Sequence, residues 1–205
     1  MRRHLLIFFL LFSSSVLNAQ TGNSTSLNEK LPARFPLEEA EITYTIINGA
    51  EGSVRLIFDR NGWRSYETKE IVFKRYGVSS SEMRSTLTDG NMMYSINHLD
   101  SSGTKSSDYT WSQLLGYKNL EQTSKAIYNQ QGGQLTGLDT LLGKPCNVWV
   151  FEKGSVAELW EWNALPLKVV KRVPGITYEM VAEEMRTQPT ISEDDFSLPD
   201  YVNWK

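Results

Sequence analysis

The chain has 205 residues, with 21 Lys and Arg against 24 Asp and Glu, a net charge of −3, and 40% hydrophobic residues. That length suits one domain with a sizeable core, and the acidic balance argues against nucleic acid or an anionic membrane surface as the main partner. One cysteine, Cys146, excludes an internal disulfide.

Met1-Arg2-Arg3-His4, an uncharged run from Leu5 to Phe12, and small or polar residues up to Ala19 predict a secretory signal peptide over residues 1–19. The apolar run is too short to cross a hydrocarbon core about 30 Å thick, and no later stretch is long and apolar enough to predict a membrane span. Loss of Arg2 and Arg3 with the signal leaves 19 basic residues against 24 acidic ones, a net charge of −5. No Cys stands near the expected cut to accept a lipid. The expectation is an exported protein, periplasmic or secreted. Residues 20–37 are rich in Asn, Ser and Thr and hold Pro32 and Pro36, the composition of a flexible leader before a single domain over 38–205.

From Ala40 the alternation of a half-buried strand begins: Ile42, Tyr44 and Ile46 face one way, Glu41, Thr43 and Thr45 the other. Asn48 to Gly52 predicts a turn, followed by Val54, Leu56 and Phe58. Asp59-Arg60-Asn61-Gly62 is the strongest hairpin signal, because Asn-Gly accepts the positive φ of a tight turn. Further strands are predicted at Trp63–Thr68, Ile71–Tyr76, Ser81–Thr88 and Met92–Leu99, the last two separated by Asp89-Gly90-Asn91. Trp111, Leu114 and Leu115 have helical spacing and predict a short helix. Asn119, with Gln122 three residues on, caps a second helix running to about Gln130.

Between Gly137 and Arg172 the chain predicts three antiparallel strands, Cys146–Phe151, Val156–Trp162 and Leu167–Val173, holding three of the six tryptophans. Asn163 to Pro166 supplies the second of their turns. Both faces of these strands carry apolar residues, so the sheet must be covered on both. Cys146, at the start of an apolar strand, reads as a buried, inert thiol. A two-sided strand follows at Ile176–Met185. Ser192 with Asp195 reads as a helix start rather than a metal site, and Phe196 and Leu198 as residues that tuck the C-terminus onto the core.

Catalytic chemistry is sparse. His98 is the one histidine after the signal, too few for a zinc site with one Cys, and no serine lies in a G-x-S-x-G elbow. Glu158 and Glu161 point to opposite strand faces, as do Glu183 and Glu184, so neither pair converges. The expectation is no catalytic residue, no metal and no cofactor. Trp63, Trp111, Trp149, Trp160 and Trp162 are candidates to line a ligand cavity, with plain core packing as the alternative.

Several segments resemble the exported LolA-like families, which include the periplasmic carrier of lipoproteins. They are GSVRLIFDRNGWR from Gly52, LTDGNMMYSI from Leu87, GKPC from Gly143, ELWEWNALPLK from Glu158 and DFSLP from Asp195. The likeness spans nearly all of residues 38–199. It implies an α+β fold, mainly antiparallel β, in which a strongly curved half-barrel sheet holds a few helices in its concave face. It also implies an envelope protein that binds a lipid or a lipoprotein's acyl chain between sheet and helices, and the expectation is of a non-catalytic monomer without a membrane span. The alternative is an envelope protein–protein interaction module with a self-filled core.

Overall fold

The computed structural model describes residues 33–75, 78–108 and 119–205. The expected signal peptide, most of the leader, and Trp111 with its short helix lie outside the described residues. The strands are β1 Ala40–Ile47, β2 Ala50–Asp59, β3 Arg64–Arg75, β4 Val78–Asp89, β5 Met92–Asn97 and β6 Ser102–Ser107. After helix α1 (Leu120–Gln130) come β7 Gly133–Leu141, β8 Lys144–Phe151, β9 Val156–Trp162, β10 Leu165–Val173, β11 Ile176–Arg186 and β12 Asn203–Trp204.

All twelve strands form one open sheet in the order β12-β6-β5-β4-β3-β2-β1-β11-β10-β9-β8-β7. Two meanders, β1–β6 and β7–β11, meet where β1 pairs with β11. The pairs are antiparallel except the short parallel contact of β12 with β6. This is the antiparallel, open architecture that the LolA-like resemblance implies.

Turn chemistry sets the register. The β1–β2 hairpin closes through Asn48 and Gly49, and the β9–β10 hairpin through Asn163 and Ala164, all four at positive φ. The expected four-residue turn at Asn163–Pro166 is therefore two residues long, with Leu165 and Pro166 already in β10. Ala164 is held in that left-handed conformation by its N–H, which donates to the Glu161 carboxylate at 2.5 Å. The two short strands predicted at Trp63–Thr68 and Ile71–Tyr76 are one strand, β3, because the charged pair Lys69-Glu70 continues the alternation instead of breaking it. At Asn119 the predicted cap is in place, its side chain accepting from the Gln122 N–H at 2.9 Å.

The register also shows how far the sheet bends. Lys171 of β10 pairs with Tyr178 of β11, and the Tyr178 ring meets Phe73 of β3 with centroids 5.6 Å apart. β3 and β11 are three places apart in the sheet, about 14 Å if it were flat. The face carrying Phe73, Tyr178 and Lys171 is therefore concave. Following that face across β10 and β9 leads to Val169, Leu159 and Trp149. Helix α1 packs there, with the Tyr128 ring 5.3 Å from Trp149 and 6.3 Å from Phe151.

The opposite, convex face of β2–β5 is covered by the C-terminal segment. Ile57, Tyr66, Leu87 and Tyr94 lie opposite one another on successive strands, and Ile191, Phe196 and Leu198 pack over them. A short 3-10 turn at Glu193–Phe196 starts at Ser192, whose N–H and hydroxyl both donate to the Asp195 carboxylate. The helix start read from the sequence is thus present, one turn long. Arg64 fastens it twice, pairing with Glu193 and laying its guanidinium 4.1 Å over the Phe196 ring. Further on, Val202 and Trp204 sit so close to Gly103 that any Cβ there would collide with them.

Residues 33–37, expected to belong to the leader, are also packed. The Arg34 and Phe35 N–H groups donate to the Asn61 carbonyl, and the Phe35 ring lies 4.8 Å from Phe58. Gly62, at φ +86, leaves the room that the Phe35 ring occupies.

Truncating the anchor of the C-terminal segment, Phe196→Ala, is expected to lower the unfolding free energy by about 3–5 kcal/mol. Urea denaturation followed by tryptophan fluorescence measures it. A loss below about 1 kcal/mol would mean that the segment only rests on the sheet.

Candidate functional site

The concave face is apolar over most of its extent. Ile42, Tyr44 and Ile46 of β1, Val54 and Phe58 of β2, Leu167 and Val169 of β10, and Met180 and Ala182 of β11 are all buried there. They are brought together by strands whose other face is largely polar, with Thr43, Thr45 and Arg55 on β1 and β2.

Within this wall lies a group of charged side chains. Glu67 and Lys69 of β3 and Lys171 of β10 are buried, and Glu82 and Arg84 of β4 are half-buried beside them. Lys69 Nζ is 2.8 Å from the Glu82 carboxylate, which also takes Arg84 Nε at 3.5 Å. Burial pulls the Lys171 ammonium down to about 8, and the nearby positive charge of Lys69 pulls the same way. Burial pushes the Glu67 carboxyl above its ordinary range, against the pull of Lys69 and Lys171. The Tyr44 and Tyr178 phenols are likewise raised by burial, with neighbouring Glu67 contributing to both. A flat sheet would separate β10 from β3 by about 19 Å; the bend makes these groups neighbours.

A second polar element sits under α1. Glu161 of β9 is fully buried and accepts from four donors: Asn147 Nδ2 at 2.7 Å, Trp149 Nε1 and Ser124 Oγ at 3.4 Å each, and the Ala164 N–H. Burial raises its pKa although these hydrogen bonds oppose the rise. It ties helix, two strands and a turn together. At the adjacent edge, a bulge between Leu135 and Gly137 puts both Leu135 and Leu138 on the α1 side, 45% and 76% exposed.

The predicted tryptophans are dispersed. Trp149 lies in the concave wall beneath α1. Trp160 and Trp162 share one face of β9 and point to the convex side, each with a lysine over its ring: Lys168 at 4.8 Å and Lys144 at 4.5 Å. Trp63 sits at the end of the β2–β3 hairpin under Arg34, 4.1 Å from the guanidinium. Trp111 lies outside the described residues. Of the five, Trp149 is the one seen on the concave face. The residues that sequence reasoning missed there are charged: Glu67, Lys69 and Lys171 hold inward positions in the alternation, the one signal that marked them.

His98 has company too. Its Nε2 is 2.6 Å from Ser85 Oγ and its Nδ1 is 2.5 Å from the Tyr201 hydroxyl, so it links β4 to the C-terminal segment. Asp100 bonds instead to Ser102. Cys146 is buried, its thiol raised by desolvation. Among the described residues no three His, Cys, Asp or Glu side chains converge to hold a metal, and no helix is long and apolar enough to cross a membrane.

No protein-family model matches the chain, and no curated protein matches its sequence. Among solved structures it is similar to an uncharacterized conserved protein from Thermus thermophilus, at 12% identity over 87% of this chain and 93% of that one, with a TM-score of 0.49. It is similar to MucB at 13% identity over 85% of this chain, with a TM-score of 0.42, and spans 62% of the MucB chain. LprF from Mycobacterium bovis aligns at 9% identity over 82% of this chain and 91% of its own, with a TM-score of 0.33.

Glu161→Gln exchanges one acceptor oxygen for an amide that faces donors, and is expected to cost about 1–3 kcal/mol. The wild-type carboxyl has a raised folded-state pKa, so its contribution is fully present below the unfolded pKa and is lost as pH climbs through the folded value. The stability gap between wild type and variant should therefore be widest at low pH and narrow toward neutrality. Urea denaturation across pH 4 to 8 checks it (about the range where carboxyls titrate), and a gap that widens with pH would refute the assignment.

Proposed function

We propose that the protein is an exported, non-catalytic envelope protein that binds a hydrophobic ligand, a lipid or a lipoprotein's acyl chain, in the hollow between sheet and helices. The observation that carries this reading is the apolar inner wall of β1, β2, β10 and β11, enclosed by a bend that sets β3 against β11. Long apolar chains bind where such side chains line a concavity. Leu135 and Leu138, exposed on the α1 side of the β7 edge, give that concavity an apolar rim where a chain could first make contact. The predicted signal peptide supports an envelope location, periplasmic or secreted, and the protein acts as a monomer without a cofactor.

One observation favours the alternative, an envelope interaction module whose core is filled by its own side chains: Ile42, Leu165 and Leu167 have no exposed surface at all. The two readings separate in one preparation. Protein purified from its native compartment is expected to carry lipid detectable by mass spectrometry, and after delipidation to take up a fluorescent fatty acid saturably. Neither lipid nor uptake would overturn the lipid reading and leave the interaction module.

A further inference from the structure

The geometry points to a peptide-docking edge: the outer side of β7 takes an extended segment of a partner protein as an added strand, with a basic residue of that segment set against Asp139. The edge lies beside the apolar wall and does not depend on what that wall holds, so it goes beyond the lipid reading.

Three observations converge on it. First, β7 ends the strand order, paired with β8 and, among the described residues, with no strand on its other side. Its residues from Gln134 to Thr140 are all exposed. Sheet edges are templates for pairing, and proteins blunt them with lysine, proline, bulges or a covering segment. The opposite edge of this sheet is covered in that way. Asn203 and Trp204 add to β6 as β12, the Asn203 N–H donating to the Ser101 carbonyl and the Lys205 N–H to the Gly103 carbonyl. Strand β7 has neither lysine nor proline, and its bulge between Leu135 and Gly137 leaves Gly137 to Leu141 in regular register.

Second, the backbone groups on that side are open. Thr140 stands opposite Pro145, which has no N–H to give to the Thr140 carbonyl. The Thr140 N–H is taken by its neighbour's side chain, Asp139 Oδ1 at 2.7 Å, and not by β8. Backbone polar groups alternate in direction along an antiparallel strand, so those of Leu138, two residues away, also point outward. Leu138 is 76% exposed, which puts its N–H and C=O within a partner's reach.

Third, charge and side-chain shape state the chemistry of the occupant. Asp139 is the one charged residue of β7, and among the described residues no cation pairs with it. Opposite charges facing each other across two strands attract and like charges repel. A strand with lysine or arginine at that place is therefore favoured, and one with an acid is disfavoured. A second copy of β7 offers no base, which makes the occupant a different chain. On the other face Leu138 and Thr140 favour apolar and β-branched neighbours.

The test uses the full chain and a palindromic peptide, acetyl-STVKVTS-amide. It reads alike in either strand direction, setting its lysine opposite Asp139 and its valines opposite Leu138 and Thr140. The peptide is expected to slow hydrogen exchange at the Leu138 and Thr140 amides, read by NMR. It should bind about fivefold or more tighter than STVEVTS. Asp139→Lys, a change at an exposed position, should reverse that preference, and Leu138→Pro, which removes one N–H, should lose both peptides. Unchanged exchange at the two amides under saturating peptide, or a preference that survives Asp139→Lys, overturns the docking edge. So does a dimer in sedimentation that Leu138→Lys dissolves, which gives the edge to a second copy. Protection of the same amides by phosphatidylglycerol vesicles but not by peptide gives it to a lipid surface and overturns it equally. The lipid reading of the concave face stands or falls on its own measurement.

Discussion

Pairing of β1 with β11 joins two meanders into one sheet, and the bend across that seam brings strands three and four places apart face to face. The seam is irregular, because the β1–β11 register shifts between Thr43 and Tyr44. An extra residue on one strand increases local twist and bend. Tyr44 then braces the curve from inside, its hydroxyl donating to the Pro166 carbonyl at 2.9 Å. The β9–β10 pairing is irregular beside Pro166, where proline lacks an N–H for the ladder. Without this bend Phe73 and Tyr178 would not touch, and Lys171 would stand far from Lys69.

The bend has an electrostatic consequence. Inward-facing positions of a curved sheet lose water from both sides, so a charged residue there is desolvated. Lys69, Lys171 and Glu67 occupy such positions, and their burial would cost several kcal/mol per ion were they unpaired. The two lysines repel each other, but Glu67 attracts both and Glu82 stands 2.8 Å from Lys69, and that proximity of carboxylates makes the arrangement tolerable. Glu161 solves the same problem differently. It has four hydrogen-bond donors and no cation among the contacts it makes, so its charge is satisfied by dipoles fixed on α1, β8 and the β9–β10 turn.

Much of this architecture was legible in the sequence, because alternation and turn residues are local. Val156–Trp162 was readable to the residue, and so was the Asn119 cap. Strand β6 was not: Ser102-Gly103-Thr104-Lys105-Ser106-Ser107 has no apolar face, and it is a strand through its pairing with β5, with Val202 and Trp204 packed on Gly103. Strand β7 exposes most of its residues and is defined by pairing with β8 alone. Reading tryptophans as the cavity lining failed to separate the faces for a related reason. Period-2 alternation says that Trp160 and Leu159 face opposite ways, but which way is inward depends on the sign of curvature, a property of the whole sheet. The inward lysines were visible as positions and invisible as a site, since nothing local says that β3 and β10 will meet.

The two halves of the sheet are covered on different faces. Over β2–β5 the convex side takes the C-terminal segment, held by Arg64, by Arg55 at 3.6 Å from Asp195, and by His98 against Tyr201. Over β8 and β9 the concave side takes α1, and the convex side has no described segment upon it. There the sheet is covered by its own side chains. Lys168 lies over Trp160 while pairing with Glu158 and Glu179, and Lys144 lies over Trp162. Lysine stems shield apolar surface while their ammonium groups stay in water or reach a carboxylate, and each ring face adds cation–π attraction of about 0.5–1 kcal/mol. A layer built from side chains shields these half-exposed tryptophans among the described residues. It also explains why both faces of β8 and β9 read as apolar in the sequence although one of them, alone, belongs to the hollow.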